Sequence, residues 1–318
     1  MMQAVVWDGS VISVDERPPP EPGSDVAIVA VTLAGVCTTD LEIARGYMDF
    51  RGILGHELVG VVEDGPAEWL ARRVVSEINF ACGTCPACRG GLGRHCPTRR
   101  VMGILAADGA FAERVAVPVA NLHAVPDGVR DEDAVFSEPL AAALEILEQV
   151  TIEPGQRVVV LGDGKLGLLV AQVLQGAGAK VHAVGRHPEK LAILDARGIE
   201  TSLASEFQPA KEMDISVEAT GSLSGFETAV AATRPRGTVV LKSTLADRHD
   251  LDLAPVVIDE IRILGSRCGP FEPALAALAS GEIDTASLVS EEIDLAHGAD
   301  ALRRAAEPGV LKVLIRSR

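Results

Sequence analysis

The sequence predicts an α/β chain of two domains: a β-rich first part, followed by a doubly wound parallel sheet. Three observations lead there. At 318 residues the chain is long enough for two domains of ordinary size. Its first part carries short apolar runs divided by Pro and Gly, the pattern of strands and turns. From about residue 155 the pattern changes, and apolar strands alternate with segments of helical period.

In the first part, residues 26–31 and 58–62 read as strands. Turns are signalled by Pro18-Pro19-Pro20, Pro22-Gly23, Gly52 and Gly65-Pro66. Residues 157–161 form a strand of β-branched and aliphatic residues. A glycine-rich turn follows, then a helix with Leu166, Leu169, Val170, Val173 and Leu174 on one face. Residues 180–184 are the next strand. Pro188 opens a helix at a favourable first position, with Leu191 and Leu194 facing inward. Residues 214–219, 237–242 and 261–265 read as further strands, and residues 309–315 as a last one in the tail. Strands alternating with helices imply a parallel sheet with helices on its faces.

Charge and composition exclude several classes of function. Lys and Arg number 29 against 45 Asp and Glu, a net charge of −16. Such a surface repels phosphate backbones and anionic lipid, so neither nucleic acid nor membrane is expected as a partner. Aromatic residues make up only 3%, too few for a base-stacking platform. The longest uncharged apolar stretch, 166–179, is shorter than the ~18 residues a spanning helix needs. The N-terminus has no basic region, since the first basic residue is Arg17, and the expected compartment is the cytoplasm.

The glycine turn is Gly162-Asp163-Gly164-Lys165-Leu166-Gly167. It follows a strand and opens a helix, the context in which GxGxxG binds a dinucleotide. The first glycine permits the tight turn, the second lets backbone approach a pyrophosphate, and the third lets helix pack on strand. Amides and the dipole at the helix N-terminus attract the phosphate charge. At the end of the second strand an acid would bind the adenosine ribose of NAD, but here the chain reads Gly185-Arg186-His187. A small residue followed by a guanidinium suits a 2′-phosphate, so NADP is expected to be preferred over NAD.

Cys82-x2-Cys85-x2-Cys88-x7-Cys96 places four thiols in one lobe, about 82–96. In a reducing compartment this spacing points to a metal, and four filled positions make a structural zinc with no place for substrate. Arg89, Arg94, Arg99 and Arg100 surround the cluster. A nucleic-acid-binding knuckle is discounted all the same, because the whole chain is acidic and no stacking aromatics accompany them. Three fragments remain: Gly35-Val36-Cys37-Thr38-Thr39-Asp40, Gly55-His56-Glu57 and Ser137-Glu138-Pro139-Leu140. Each alone is weak, and Glu138 could serve only as a helix cap.

Taken in order with the thiol lobe and the glycine turn, these fragments resemble the zinc-dependent medium-chain dehydrogenase/reductase family, the alcohol, polyol and threonine dehydrogenases. The resemblance covers nearly the whole chain. It implies a GroES-like catalytic domain at 1–124, a Rossmann nucleotide domain at 125–270 and a return to the first domain at 271–318. Carried over residue by residue, it makes Cys37, His56 and Glu138 ligands of a catalytic zinc. Glu57 becomes an acid that binds or releases the metal, and Thr39 the hydroxyl that starts the proton relay. Where the family often has a relay histidine, this chain has Glu42, which leaves the outer relay to Glu42 or to water.

With the thiol lobe, two zinc ions per chain are implied. Zinc would act as Lewis acid while hydride passes between an alcohol carbon and the nicotinamide. Thr220, in Glu218-Ala219-Thr220-Gly221, matches a stretch near the nicotinamide, and Cys268 lies either there or in the core. The implied substrate is a small secondary alcohol, polyol, sugar or amino alcohol and its carbonyl compound, and the implied assembly a homo-oligomer, dimer or tetramer. The alternatives are a zinc-independent quinone or enone reductase of the same superfamily, whose relatives generally lack the Cys/His/Glu set, and a non-catalytic NADPH-binding redox sensor.

Overall fold

A computed structural model describes residues 1–243 and 250–317. The chain divides into two compact units, Met1–Glu138 with Phe271–Arg318, and Pro139–Pro270. The first boundary falls later than the expected 124/125. The reason is local: the Val125 amide donates to the Arg73 carbonyl at 2.9 Å, and Thr285 donates a hydrogen bond to Asp133, 2.5 Å away, in the short helix Asp131–Ala134. The intervening residues therefore belong to the first unit.

The first unit is organised on strand Val26–Gly35. Its run Val-Ala-Ile-Val-Ala-Val is apolar on both faces, so it can only sit inside, and Val29, Val31 and Leu33 are fully buried. The principal sheet runs in the order Leu122–Ala124, Arg73–Ser76, Glu57–Asp64, Val26–Gly35, Lys312–Arg316, Val289–Asp294, with Arg114–Pro118 also paired to Val26–Gly35. Two registers position the site: Gly35 lies opposite Glu57 on one side and opposite Leu314 on the other. A second sheet joins Met2–Trp7, Ile12–Arg17 and Gly52–Ile53. Gly52 is thus not in a turn as expected but in a short strand, opposite Trp7.

Among its described residues the second unit holds six parallel strands: Arg157–Leu161, Lys180–Gly185, Glu200–Leu203, Met213–Glu218, Thr233–Leu241 and Arg262–Gly265. Numbered along the chain, they lie in the order 3-2-1-4-5-6, the doubly wound arrangement expected. The third strand was not foreseen. Helix Lys165–Gly176 buries Leu168 and Ala171 as well as Leu169, Val170, Val173 and Leu174, while Leu166 is only half-buried. The helix is enclosed nearly all round, not on one face alone. Among the described residues no helix is long and apolar enough to cross a membrane.

Candidate active site

Cys37 ends the loop after Val26–Gly35, just ahead of the short helix Thr38–Ile43. His56 and Glu57 stand at the start of strand Glu57–Asp64, which pairs with Val26–Gly35 and draws the two segments together. As a result one donor atom each from Cys37, His56 and Glu57 lies within 4.8 Å of the others. Cys37 is half-buried, while His56 and Glu57 are buried. Thr39 Oγ1 lies 3.7 Å from Cys37 Sγ on the same half-exposed side.

Two residues that sequence reasoning did not assign complete this cluster. Asp40 is fully buried, and it accepts hydrogen bonds from the Cys37 amide at 2.8 Å and from His56 Nδ1 at 3.1 Å. One carboxylate thereby sets both donors and leaves His56 Nε2 as the ligand nitrogen. Burial alone would lower the His56 pKa, but the charge and hydrogen bond of Asp40, with the Cys37 thiol, raise it well above its ordinary value. The Asp40 charge that favours a proton on the ring favours a metal ion in its place once the ring is neutral. Lys312 is also fully buried; its Nζ donates to Glu57 Oε2 and to the Val36 carbonyl at 3.3 Å, and lies 5.5 Å from the Phe136 ring centre. Among the described residues Glu57 Oε1 is left buried with no hydrogen-bond partner. An orphaned carboxylate oxygen beside a thiol and an oriented imidazole is a donor set that zinc fits.

Glu138, the third expected ligand, lies outside that cluster, in the first turn of helix Ser137–Gln149. Glu42 forms an ion pair with Arg45 at 2.6 Å. Asp40 had one readable signal, an acid three residues after Cys37 at a helix start. The signal for Lys312 was a lone charge in the apolar run Leu-Lys-Val-Leu-Ile.

The thiol lobe also comes together. Sulfur separations are 3.4 Å for Cys85–Cys88 and 3.9 Å for Cys82–Cys88 and for Cys85–Cys96. Four ligands at the usual Zn–S length imply tetrahedral edges of about 3.8 Å. No disulfide joins any of the six cysteines. The cluster divides its charge unevenly. Hydrogen bonds from the Thr84 amide and hydroxyl and from the Cys85 amide bring Cys82 down to about 5, while burial and the neighbouring thiols push Cys88 up to about 11.

In the second unit the glycine turn has the form a phosphate needs. Gly162 adopts φ +117°, and a Cβ there would meet the Ala219 carbonyl oxygen at 2.6 Å; at Gly167 a Cβ would come within 2.0 Å of the Gly162 oxygen. A Cβ at Gly164, by contrast, would meet nothing within 4 Å. Gly164 caps helix Lys165–Gly176 with no side-chain hydrogen bond, and the positive end of that helix faces the turn, where an anion is favoured. A dinucleotide pyrophosphate fits this cradle. Gly185, Arg186 and His187 lie at the end of the second strand and contact Asp163. Thr220 lies beside Gly162, its hydroxyl donating to the buried Glu218 carboxylate at 2.5 Å. Glu218 also accepts from the Thr220 and Gly221 amides, and this anchoring role was not foreseen.

Comparison with known proteins decides the family. Residues 23–127 match the alcohol dehydrogenase GroES-like domain, and residues 166–280 match the zinc-binding dehydrogenase domain. The chain belongs to the zinc-dependent medium-chain dehydrogenase/reductase family. As a member it is an NAD(P)-dependent alcohol dehydrogenase in the broad sense, interconverting a small-molecule alcohol and its carbonyl compound. The chain is 30% identical to an L-threonine 3-dehydrogenase of Chelativorans sp. strain BNC1, over 91% of both proteins. It is 28% identical to a sorbitol dehydrogenase of Halalkalibacterium halodurans, over 95% of both. It also superposes with a TM-score of 0.90 on a protein of Sinorhizobium meliloti 1021 described as a zinc-binding dehydrogenase bound to NADP. That pair is 29% identical, with 100% of this chain and 99% of the other covered. The expected family, fold and enzyme class are therefore met in this dehydrogenase.

Proposed function

We propose that the substrate is a secondary alcohol, polyol, sugar or amino alcohol, oxidised at carbon with zinc held by Cys37 and His56, by Glu57 in the arrangement seen here, and by Glu138 when Glu57 releases it. The observation that carries this reading is the convergence of Cys37, His56 and Glu57 donors within 4.8 Å. Relatives that act on sorbitol and on threonine support the substrate class. When bound, zinc supplies Lewis acidity to the substrate oxygen and the dinucleotide accepts hydride. The chain's own residues do the rest. Asp40 holds His56 and Cys37 at fixed orientation, so that they meet a cation without rearrangement. Glu57 is poised between two states, since Lys312 holds one carboxylate oxygen and the other has no partner; it serves as the ligand that engages and releases. Thr39 takes the proton from the substrate hydroxyl. Glu42 is occupied by Arg45, which favours water as the outer acceptor.

The four-thiol lobe holds a second, structural zinc, giving two per chain. NADP is preferred over NAD, supported by the exposed Arg186 after a strand end with no side chain. The compartment is the cytoplasm, where the cysteines stay reduced. The chain assembles as a homodimer or tetramer. Strand Arg262–Gly265 lies at a sheet edge, and Val257 and Ile258 nearby are 74% and 76% exposed, which suits a second copy.

Metal analysis of Cys37→Ala tests the reading. One zinc per chain is expected against two in the parent. Turnover across an alcohol and ketone panel should fall on the order of a thousandfold. A variant that keeps both metals and full activity overturns it. Light scattering on the same preparations reads the assembly, and a monomer removes the oligomer.

A further inference from the structure

The second strand ends in glycine where a ribose-binding acid would stand, yet the space beside it is already taken by a carboxylate. A Cβ built on Gly185 would lie 2.5 Å from Asp163 Oδ2, 2.5 Å from its Cβ and 2.7 Å from its Cγ. The Gly185 backbone is not left-handed, so glycine is required there by space and not by conformation. Asp163 sits in the glycine turn and is 8% exposed. Its Oδ2 accepts from the Arg186 amide at 2.6 Å, the His187 amide at 2.7 Å and His187 Nδ1 at 3.0 Å. Three donors on one oxygen fix the carboxylate and leave Oδ1 as the atom able to accept from a ligand.

We propose that Asp163 supplies the ribose-reading carboxylate from the glycine turn, in place of an acid at the strand end, and that it opposes Arg186 in setting the choice between NADH and NADPH. This rests on the reading of the turn as a dinucleotide site. A strand-end acid accepts a hydrogen bond from the ribose 2′-hydroxyl of NAD and repels the 2′-phosphate of NADP. Asp163 places the same charge at the same point by a different route through the chain. Burial works against ionisation, but the His187 and Arg186 amides and the His187 ring outweigh it and hold the carboxyl below its ordinary range, so it is anionic at neutral pH. Arg186 is exposed and brings the opposite charge for a 2′-phosphate. The two side chains read the same ribose position with opposite preferences. The preference for NADP is therefore limited, and NAD remains a working cofactor.

Equilibrium titration of purified protein with NADH and with NADPH, followed by nicotinamide fluorescence, tests this without turnover. Asp163→Asn is expected to weaken NADH about tenfold, the loss of one charge-assisted hydrogen bond, while NADPH binds as tightly as before or more so. Asp163→Gly with Gly185→Asp moves the acid back to the strand end and is expected to recover most of the NADH affinity. This relocation decides the matter if Asp163→Asn fails to fold, because a purely structural Asp163 would not be rescued from position 185. An Asp163→Asn protein that weakens both cofactors equally, or a relocated acid that restores nothing, overturns the proposal. A parent that binds neither dinucleotide overturns the reading of the turn itself, a result distinct from an unchanged ratio in a parent that binds both.

Discussion

The four cysteines of the lobe come from one short loop, whereas Cys37, His56 and Glu57 reach a common point from two segments paired across a sheet. The lobe is largely open to solvent, with Cys82 exposed and only Cys96 buried. Its thiols are set by turn geometry and by one another: the Cys88 amide donates to Cys85 Sγ and the Cys82 amide to Cys96 Sγ, each at 3.5 Å. The other cluster is held from outside. Asp40 orients two of its donors and Lys312 restrains the third, and all four of Asp40, His56, Glu57 and Lys312 are buried. The lobe's sulfurs take their outer hydrogen bonds from their own loop, whereas on the proposed reading the buried charges around Cys37, His56 and Glu57 are what keep a ligand exchange ordered.

The largest effect that would break this comparison is on stability. Lys312→Met leaves the Glu57 carboxylate buried without its counter-charge, and such a loss costs ~3–5 kcal/mol. Denaturant unfolding of the zinc-loaded protein should show it, and adding Glu57→Gln should return most of the loss. A decrease under ~1 kcal/mol would mean that Lys312 is not what holds the second layer.

Next in size is metal affinity. Asp40→Asn keeps the shape but removes the charge that faces His56 Nδ1 and the Cys37 amide. Affinity at the Cys37 cluster should fall ~10–100-fold. Zinc counted under increasing chelator should then leave that cluster early while the thiol lobe retains its ion. Loss from both sites together would show that the two are not independently built.

The same contrast explains what could be read without the structure. The Cys82–Cys96 spacing, the turn Gly162–Gly167 and the strand at 157–161 are local patterns, and each was legible from neighbouring residues alone. Glu57 and Lys312 are 255 positions apart, and they meet only because Leu314 and Glu57 both lie opposite Gly35. No periodicity reports such a contact, and the metal roles expected of Cys37 and His56 came from family resemblance. Glu200–Leu203 went unseen because Glu-Thr-Ser-Leu is a polar run, suited to the sheet edge it occupies and unlike the apolar strands beside it. Asp163 was legible as part of the turn, but its position in the side-chain space of residue 185 was not.

The smallest effect sharpens the comparison from the lobe's side. Thr84 donates its hydroxyl to Cys82 Sγ at 3.7 Å, and its amide contributes the largest share of the fall in that thiol's pKa to about 5. Zinc binds the thiolate, so protons compete with metal at each sulfur. Thr84→Val keeps the amide and removes only the hydroxyl. The Cys82 thiolate then becomes easier to protonate, and the pH at which acid displaces the lobe zinc should rise by roughly half a unit. Cys88 lies high because of burial and its neighbouring thiols, with no contribution from the Thr84 hydroxyl, and should not follow. The Cys37 cluster shares no donor with Thr84, so its own acid release should stay where it is. If both releases move together, the lobe is not set by its own loop, and the local character assigned to it fails.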